Sequence, residues 1–353
     1  MKKSLIAIIT IILLVLVGFA AYLGYQLIKK SEQSQKMEKV RVQAGWLLNG
    51  EFANVCSAIV NGFYKEQNLD VELVPGGPVG ASFVIATNAV AQDNSLTLGI
   101  DGDTVPLLRG VTKQNESEKL RVKAFAAFWN QNPYGFIVRS DSGLNSIKDF
   151  TKRKPDGSKY KIGVTADSVA QYAIASYLNV PVSDLDIVIV GFDTTPLLTR
   201  QVDALAGYWT TQVYEVEKAG IQYKFLSASE LPGWNQQSMV AIATDKVLQE
   251  KKDVLERWLK ATIKGTEFVQ ENPKIAAENI LDSRCGGPTF NKEQELWVIQ
   301  KSIPLFDQTK PGWLYENQIM DFANAYKKLG QIPIVPQVSD VTDYSILDAI
   351  YEK

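Results

Sequence analysis

No histidine occurs anywhere in the 353 residues. Without an imidazole the chain cannot assemble a Ser-His-Asp triad, a Cys-His dyad, a His-ligated zinc site or a histidine general base, so catalysis would have to run on Asp, Glu, Lys or Tyr. Cysteine is nearly as scarce. Cys56 and Cys285 stand 229 residues apart and outside any CxxC unit, which excludes a zinc ribbon and a thioredoxin-type redox pair. An oxidising compartment would permit a disulfide between them, and two separate buried thiols fit the sequence equally well. No GxxxxGK[ST] or GxGxxG follows a strand-like segment, so nucleotide hydrolysis and dinucleotide binding lack their motifs. Charge of one sign is missing as well. Thirty-seven basic residues face 39 acidic ones, and no basic stripe suits a polyphosphate, so nucleic acid is not an expected partner. No cofactor and no metal site is expected, and no repeat at a period of about 20 to 50 residues is found.

What is present describes a protein folded mostly in water. Hydrophobic residues make up 46% and charged residues 22%, and the length is twice the roughly 150 residues expected of one domain, which predicts two cores. The exception is the N-terminus. Ser4 to Ile28 is an uncharged apolar run between Lys2-Lys3 and Lys29-Lys30, long enough at about 1.5 Å per residue to cross a hydrocarbon core of about 30 Å. Residues 1–30 are therefore expected to be a transmembrane anchor; the small residues of Gly18-Phe19-Ala20 keep a cleaved signal segment as the alternative. Lysines on both flanks leave the orientation unset, and no lipobox cysteine precedes Cys56. Residues 31–39 read as a polar linker.

From Lys39 onward strand-like and helix-like segments alternate, the pattern of α/β layers. Lys39 to Trp46 reads as a strand, Phe52 to Glu66 as a helix, Asp70 to Val74 as a strand ending in Pro75-Gly76-Gly77-Pro78, with a helix expected from about Ala81. Leu96 to Ile100 is a strand that stops at Asp101-Gly102-Asp103. A second unit begins near Asn132, with strands at Phe136 to Arg139, Lys161 to Val164, Ile187 to Val190 and Ala204 to Tyr208, and a helix over Asp167 to Leu178. After Pro232-Gly233-Trp234 comes a last strand, Ser238 to Ala243, and then helices: a long amphipathic stretch from Val247 to Val269, punctuated by Asn272-Pro273, then about Lys292 to Ser302 and Glu316 to Leu329. In open α/β sheets ligands gather beyond the carboxyl ends of the strands, so the site is expected there.

Trp46-Leu47-Leu48-Asn49, Gly62-Phe63-Tyr64-Lys65-Glu66, Leu69-Asp70-Val71-Glu72-Leu73 and Pro75-Gly76-Gly77-Pro78 resemble the opening of substrate-binding proteins of ABC importers, in the group that holds alkanesulfonate, nitrate and thiamine-pyrimidine-precursor binders. Asn132-Pro133-Tyr134-Gly135, Val202-Asp203-Ala204, Gly207-Tyr208-Trp209-Thr210 and Ala261 to Phe268 follow in the family's order, and the last three are similar to the pyrimidine-precursor subgroup. The likeness covers nearly all of residues 40 to 335. It implies a two-lobed periplasmic-binding-protein type II fold behind the N-terminal transmembrane or signal helix, lobe one being 40–130 and 235–353 and lobe two 131–234. It further implies a monomer outside the cytoplasm that captures a small molecule in the interlobe cleft and delivers it unchanged to a membrane permease, with no enzymatic step. The expected ligand is a thiamine-related aminopyrimidine or similar planar heterocycle; a sulfonate, nitrate or other small anion is the alternative. Eukaryotic pyrimidine synthases share the fold, but their chemistry uses a histidine and a cysteine cluster that this chain lacks. A ligand sensor would need a separate signalling partner, since only three residues precede the apolar run.

At the strand ends the candidate ligand-binding residues are aromatic, acidic or small. Trp46, Trp129, Tyr134, Tyr208 and Trp209 could sandwich a planar ring, each weighed evenly against plain core packing. Trp258 and Trp297 lie in helical patterns and are expected in the core. Asp101, Asp103 and Asp193, with Glu51 behind them, could accept from amino groups and ring N–H; capping and turn formation are the competing roles. Asn49 could meet a ring edge or cap the helix after it. Gly76 and Gly77, and Ser168 at the helix start after Thr165, could offer backbone N–H groups to an anion.

Overall fold

The computed structural model describes residues 37–79, 82–166 and 168–352. The expected anchor at 1–30 and the linker up to residue 36 lie outside them. Among the described residues no helix is long and apolar enough to cross a membrane.

Among the described residues twelve strands form two five-stranded sheets and one hairpin. They are β1 Glu38–Ala44, β2 Leu69–Val74, β3 Gly77–Val79, β4 Ser82–Val84, β5 Leu98–Asp101, β6 Val122–Trp129, β7 Tyr134–Arg139, β8 Lys161–Val164, β9 Asp186–Ile189, β10 Ala204–Tyr208, β11 Tyr223–Ser227 and β12 Ser238–Thr244. The first sheet runs β2-β1-β5-β12-β6 and the second β11-β7-β10-β8-β9. In the first, β1 is parallel to β5, while β12 returns antiparallel between β5 and β6. In the second, β8 is parallel to β9 and β10, and β7 lies antiparallel to β10 and β11.

Sequence explains the layering. β12 (Ser-Met-Val-Ala-Ile-Ala-Thr) and β6 are apolar along their length because helices or neighbouring sheets cover both faces, whereas β1 buries Val40, Val42 and Ala44 on the face turned to the core. Helix Lys252–Glu271 buries Val254, Leu255, Trp258, Leu259, Thr262, Gly265, Thr266 and Val269 at helical spacing. Its Trp258 is a hub: Tyr64 stacks on it at 6.4 Å and Phe125 and Phe128 meet it edge-on. Gly265 allows the helix to touch Ala53–Val60, since a Cβ there would lie 2.2 Å from the Asn54 carbonyl. Cys56 and Cys285 form a disulfide with their Cα atoms 5.8 Å apart, joining that helix to the loop after helix Pro273–Ile280.

The chain departs from the sequence reading at several elements. The helix expected over Phe52 to Glu66 is broken by Gly62 at φ +78°, into Ala53–Val60 and Phe63–Glu66. The stretch Val247 to Val269 is two helices meeting at Lys251, whose φ of −125° leaves the helical region. Where a helix is expected from about Ala81, Ser82–Val84 is a strand. The prolines and glycines of 75–78 lead into the β3–β4 hairpin, with Pro78 opposite Phe83, and the helix begins only at Ala86. Finally, β6 and β11 have no counterpart among the expected strands; β6 has no alternation to separate it from a buried helix.

Candidate functional site

The two sheets face each other across a cavity of about 780 Å³. Two chain crossings join them, one before β7 and one before β12, and they are tied to each other where Asn132 N–H donates to the Gln236 carbonyl at 2.8 Å. The Gln236 side chain is fixed in turn, its Oε1 accepting from Thr104 Oγ at 2.7 Å. Strand ends of both sheets supply the walls, as the strand-end rule requires.

Aromatic rings line both sides. At the end of β1, Trp46 meets Phe192, just after β9, at 5.1 Å edge-on and Phe83 of the hairpin at 5.7 Å. Phe83 stacks on Phe192 at 5.5 Å, and both are nearly half exposed. These three rings span the cavity from one sheet to the other. Toward the crossings, Tyr134 packs on Tyr208 and Trp234 with centroids 6.0 and 6.1 Å away, and Phe322 and Tyr326 of helix Glu316–Lys328 back Trp234. Tyr134 Oη and Ser168 Oγ are 3.3 Å apart, and burial pushes the Tyr134 hydroxyl up to about 12, so it stays a neutral donor.

Three carboxyls share this space. Glu51 is buried in the first sheet's half, and Oε1 accepts from Thr210 Oγ, in the turn after β10, at 2.7 Å. Burial pushes the carboxyl up to about 7, against the hydrogen bonds from Thr210 and Asn49. Asp103 accepts from Val105 N–H at 2.8 Å; burial, with Asp101 nearby, raises it to about 6 while Arg109 pulls it down. Asp101 lines the wall but spends its oxygens on the start of helix Ala86–Gln92, accepting from Ala86 N–H at 3.0 Å and from Thr87 N–H and Oγ at 2.8 and 2.5 Å. Arg109 and Lys113 are the cations of the lining. Among the described residues no three His, Cys, Asp or Glu side chains gather as a metal-binding group.

Of the residues nominated from sequence, Trp46, Asp101, Asp103, Tyr134, Ser168 and Tyr208 line this cavity. Six do not. Trp129 is wholly buried in the core at the end of β6, paired with Ser238 and bridged to Phe306. Trp209 packs on Phe225 at 5.6 Å beneath the second sheet. Asn49 caps the short turn Gly50–Phe52 by accepting from Glu51 N–H. Asp193 is exposed and holds the turn at Thr195 by accepting its N–H at 3.0 Å. Gly76 gives its N–H to the Trp46 carbonyl and lies so near Ala44 that a Cβ would sit 1.9 Å from its oxygen; Gly77, at φ +69°, tucks under the Trp46 ring. Both glycines lie against the Ala44–Trp46 backbone and ring. Phe83, Phe192, Trp234, Gln236, Arg109 and Tyr326 went unnominated. Phe192 was reachable, since it directly precedes the nominated Asp193 at a strand end; Phe83 was hidden by the helix expected at its position.

Two α/β halves joined by paired crossings around a buried cleft are the architecture of periplasmic binding proteins. Among solved structures the nitrate-binding protein NrtA of Synechocystis superposes with a TM-score of 0.67 at 10% identity, over 90% of this chain and 89% of that one. The desulfurization enzyme DszB shares the fold too, at a TM-score of 0.58 and 11% identity over 88% of this chain and 98% of that one. More narrowly, the chain belongs to the NMT1/THI5-like family, which matches residues 49–276. A curated relative, the formylaminopyrimidine-binding protein of Halalkalibacterium halodurans, is 24% identical over 89% of this chain and 93% of its own length.

Proposed function

We propose that this chain is the substrate-binding component of an ABC importer, held outside the cytoplasm by its N-terminal segment, and that it carries a thiamine-related aminopyrimidine or a similar planar heterocycle to a permease as a monomer. The observation that carries the reading is the cavity lining itself. Flat rings at both ends offer stacking faces, and Asp103, Glu51 and the Tyr134 and Tyr208 hydroxyls offer acceptors and donors in the same lining. Family membership and the relative named for formylaminopyrimidine point the same way.

Arg109 and Lys113 are the features that favour a small anion instead. Against these two cations the same lining sets three carboxyls, Glu51, Asp101 and Asp103, and Arg109 pulls Asp103 down. Hinge closure over a ligand, followed by release of the same molecule, needs neither nucleophile nor general base. The experiment is native mass spectrometry of whatever co-purifies with the full chain, followed by tryptophan quenching with formylaminopyrimidine, an alkanesulfonate and nitrate. Quenching by the pyrimidine alone, with the ligand recovered at unchanged mass, is the expected result. Saturable binding of the anions alone, or a changed mass, overturns the reading.

A further inference from the structure

Helix Lys292–Ser302 belongs to the first sheet's half. Val298 and Ile299 are buried on it, it packs on helix Pro273–Ile280, and its Glu295 accepts from Gly50 N–H at 2.6 Å. One residue of this helix points elsewhere. Trp297, expected from its helical spacing to sit in its own core, packs instead against the separate hydrophobic cluster beneath the second sheet, with Val213, Val216 and Leu205. Its ring meets Tyr214 edge-on at 5.5 Å, and its Nε1–H donates to Glu217 Oε2 at 2.9 Å.

The acceptor is held ready for it. Glu217 and Tyr214 lie on helix Gln212–Lys218, which follows β10, and Tyr223 Oη donates to Glu217 Oε1 at 2.7 Å, fixing the carboxylate from its own side. Lys301, one turn after Trp297, closes the arrangement. Its Nζ lies 5.0 Å from the indole centroid and 3.9 Å from Glu217 Oε1. Neither Trp297 nor Glu217 lines the ligand cavity. A large, partly buried aromatic side chain carried by one half packs against the other half's core, and any opening that separates the halves must withdraw it.

We propose that Trp297 is a latch between the two halves, seated among Tyr214, Glu217 and the second sheet's apolar cluster, and that withdrawing it limits how fast the closed cleft opens. The latch acts through closure and touches no ligand, so Trp297 is a positioning residue. It also requires no particular ligand: the closed state is stabilised whether or not the cavity is filled.

Two readouts on the full chain test it. Hydrogen exchange of the ligand-free protein reports opening directly, and the dissociation rate of formylaminopyrimidine reports it with ligand bound. Trp297→Ala is expected to speed both by about tenfold, the effect of losing ~1.4 kcal/mol of contact, at peptides covering 45–52 and 208–218, while β6 peptides keep their wild-type protection. Trp297→Phe, which keeps a ring and loses the N–H, is expected to give a smaller acceleration and carries the test if the alanine variant does not fold. Unchanged exchange in both segments overturns the latch. If formylaminopyrimidine binds no variant, including wild type, the proposed ligand falls, and the exchange data still decide the latch.

Discussion

Thr210 Oγ of the second half donates to Glu51 Oε1 of the first at 2.7 Å, with the threonine side chain fully buried and the carboxyl nearly so. The bond joins the two halves, and Glu51 is buried where they meet. A second carboxyl lies behind it, Glu295, also pushed up to about 7 by burial, with Glu51 nearby adding to the rise and the Gly50 N–H opposing it.

Because both carboxyls have folded-state values near 7 against 4.5 for the ordinary group, the folded protein holds more protons than the unfolded chain between these limits. Stability from this pair is therefore fully present below about pH 4.5 and is lost as pH rises through 7. Asp103, raised to about 6, acts in the same direction. Asp141 and Asp282, lowered to about 2 by their arginine partners, oppose it only below about pH 4. Calorimetry across pH 4.5 to 8 should show Tm falling with pH, and Glu295→Gln should flatten the slope. A Tm that rises through this window would contradict the buried placement of the pair.

The disulfide closes a loop of 229 residues. Chain-entropy arguments assign a bridge of this span several kcal/mol, and measured losses run at about 2–5 kcal/mol. Cys56→Ser is expected to lower the midpoint of denaturant unfolding and, because the unbridged unfolded chain is less compact, to raise the m-value. A midpoint equal to wild type, with mass spectrometry confirming the oxidised parent, would show that the bridge contributes nothing.

Gly265 sets how closely helix Lys252–Glu271 approaches Ala53–Val60. Replacing it by Ala forces a backbone shift against the Asn54 carbonyl, and Val forces a larger one. Overpacking of this kind costs about 1–3 kcal/mol. Thermal melts should order wild type, Ala and Val from most to least stable; an Ala variant as stable as wild type would mean the helices part freely.

In the cavity, Trp46→Ala removes the ring that meets both Phe83 and Phe192. Under the proposed function it should weaken formylaminopyrimidine binding about tenfold, on the order of 1.4 kcal/mol. Trp129→Phe, in the core, should leave affinity unchanged while lowering Tm. Equal affinities for wild type and Trp46→Ala would remove the β1 end from the ligand site.

The strand-end rule explains what the sequence made legible. Trp46, Asp103, Tyr134 and Tyr208 each sit at or just beyond a strand terminus whose flanking turn residues mark it, and all four line the cavity. Trp129 satisfied the same rule and is core, because β6 continues into a bridge with Phe306, more than 170 positions downstream, that no local pattern reveals. Asp193 and Asn49 show the other limit. A short polar side chain beside a helix start is suited equally to a ligand and to the helix's own N–H groups, and here the backbone takes both. Trp297 had helical periodicity and so resembled a core residue; periodicity specifies a face of the helix, not which body that face meets.

The first sheet is built from both ends of the described chain: β12, lying between β5 and β6, arrives only after every strand of the second sheet. During synthesis from the N-terminus, the second half is therefore complete while β1, β2, β5 and β6 still await their central partner. The inserted unit can pair its strands early, whereas β5 and β6 of the outer unit keep facing edge groups unpaired until residue 244 has been made.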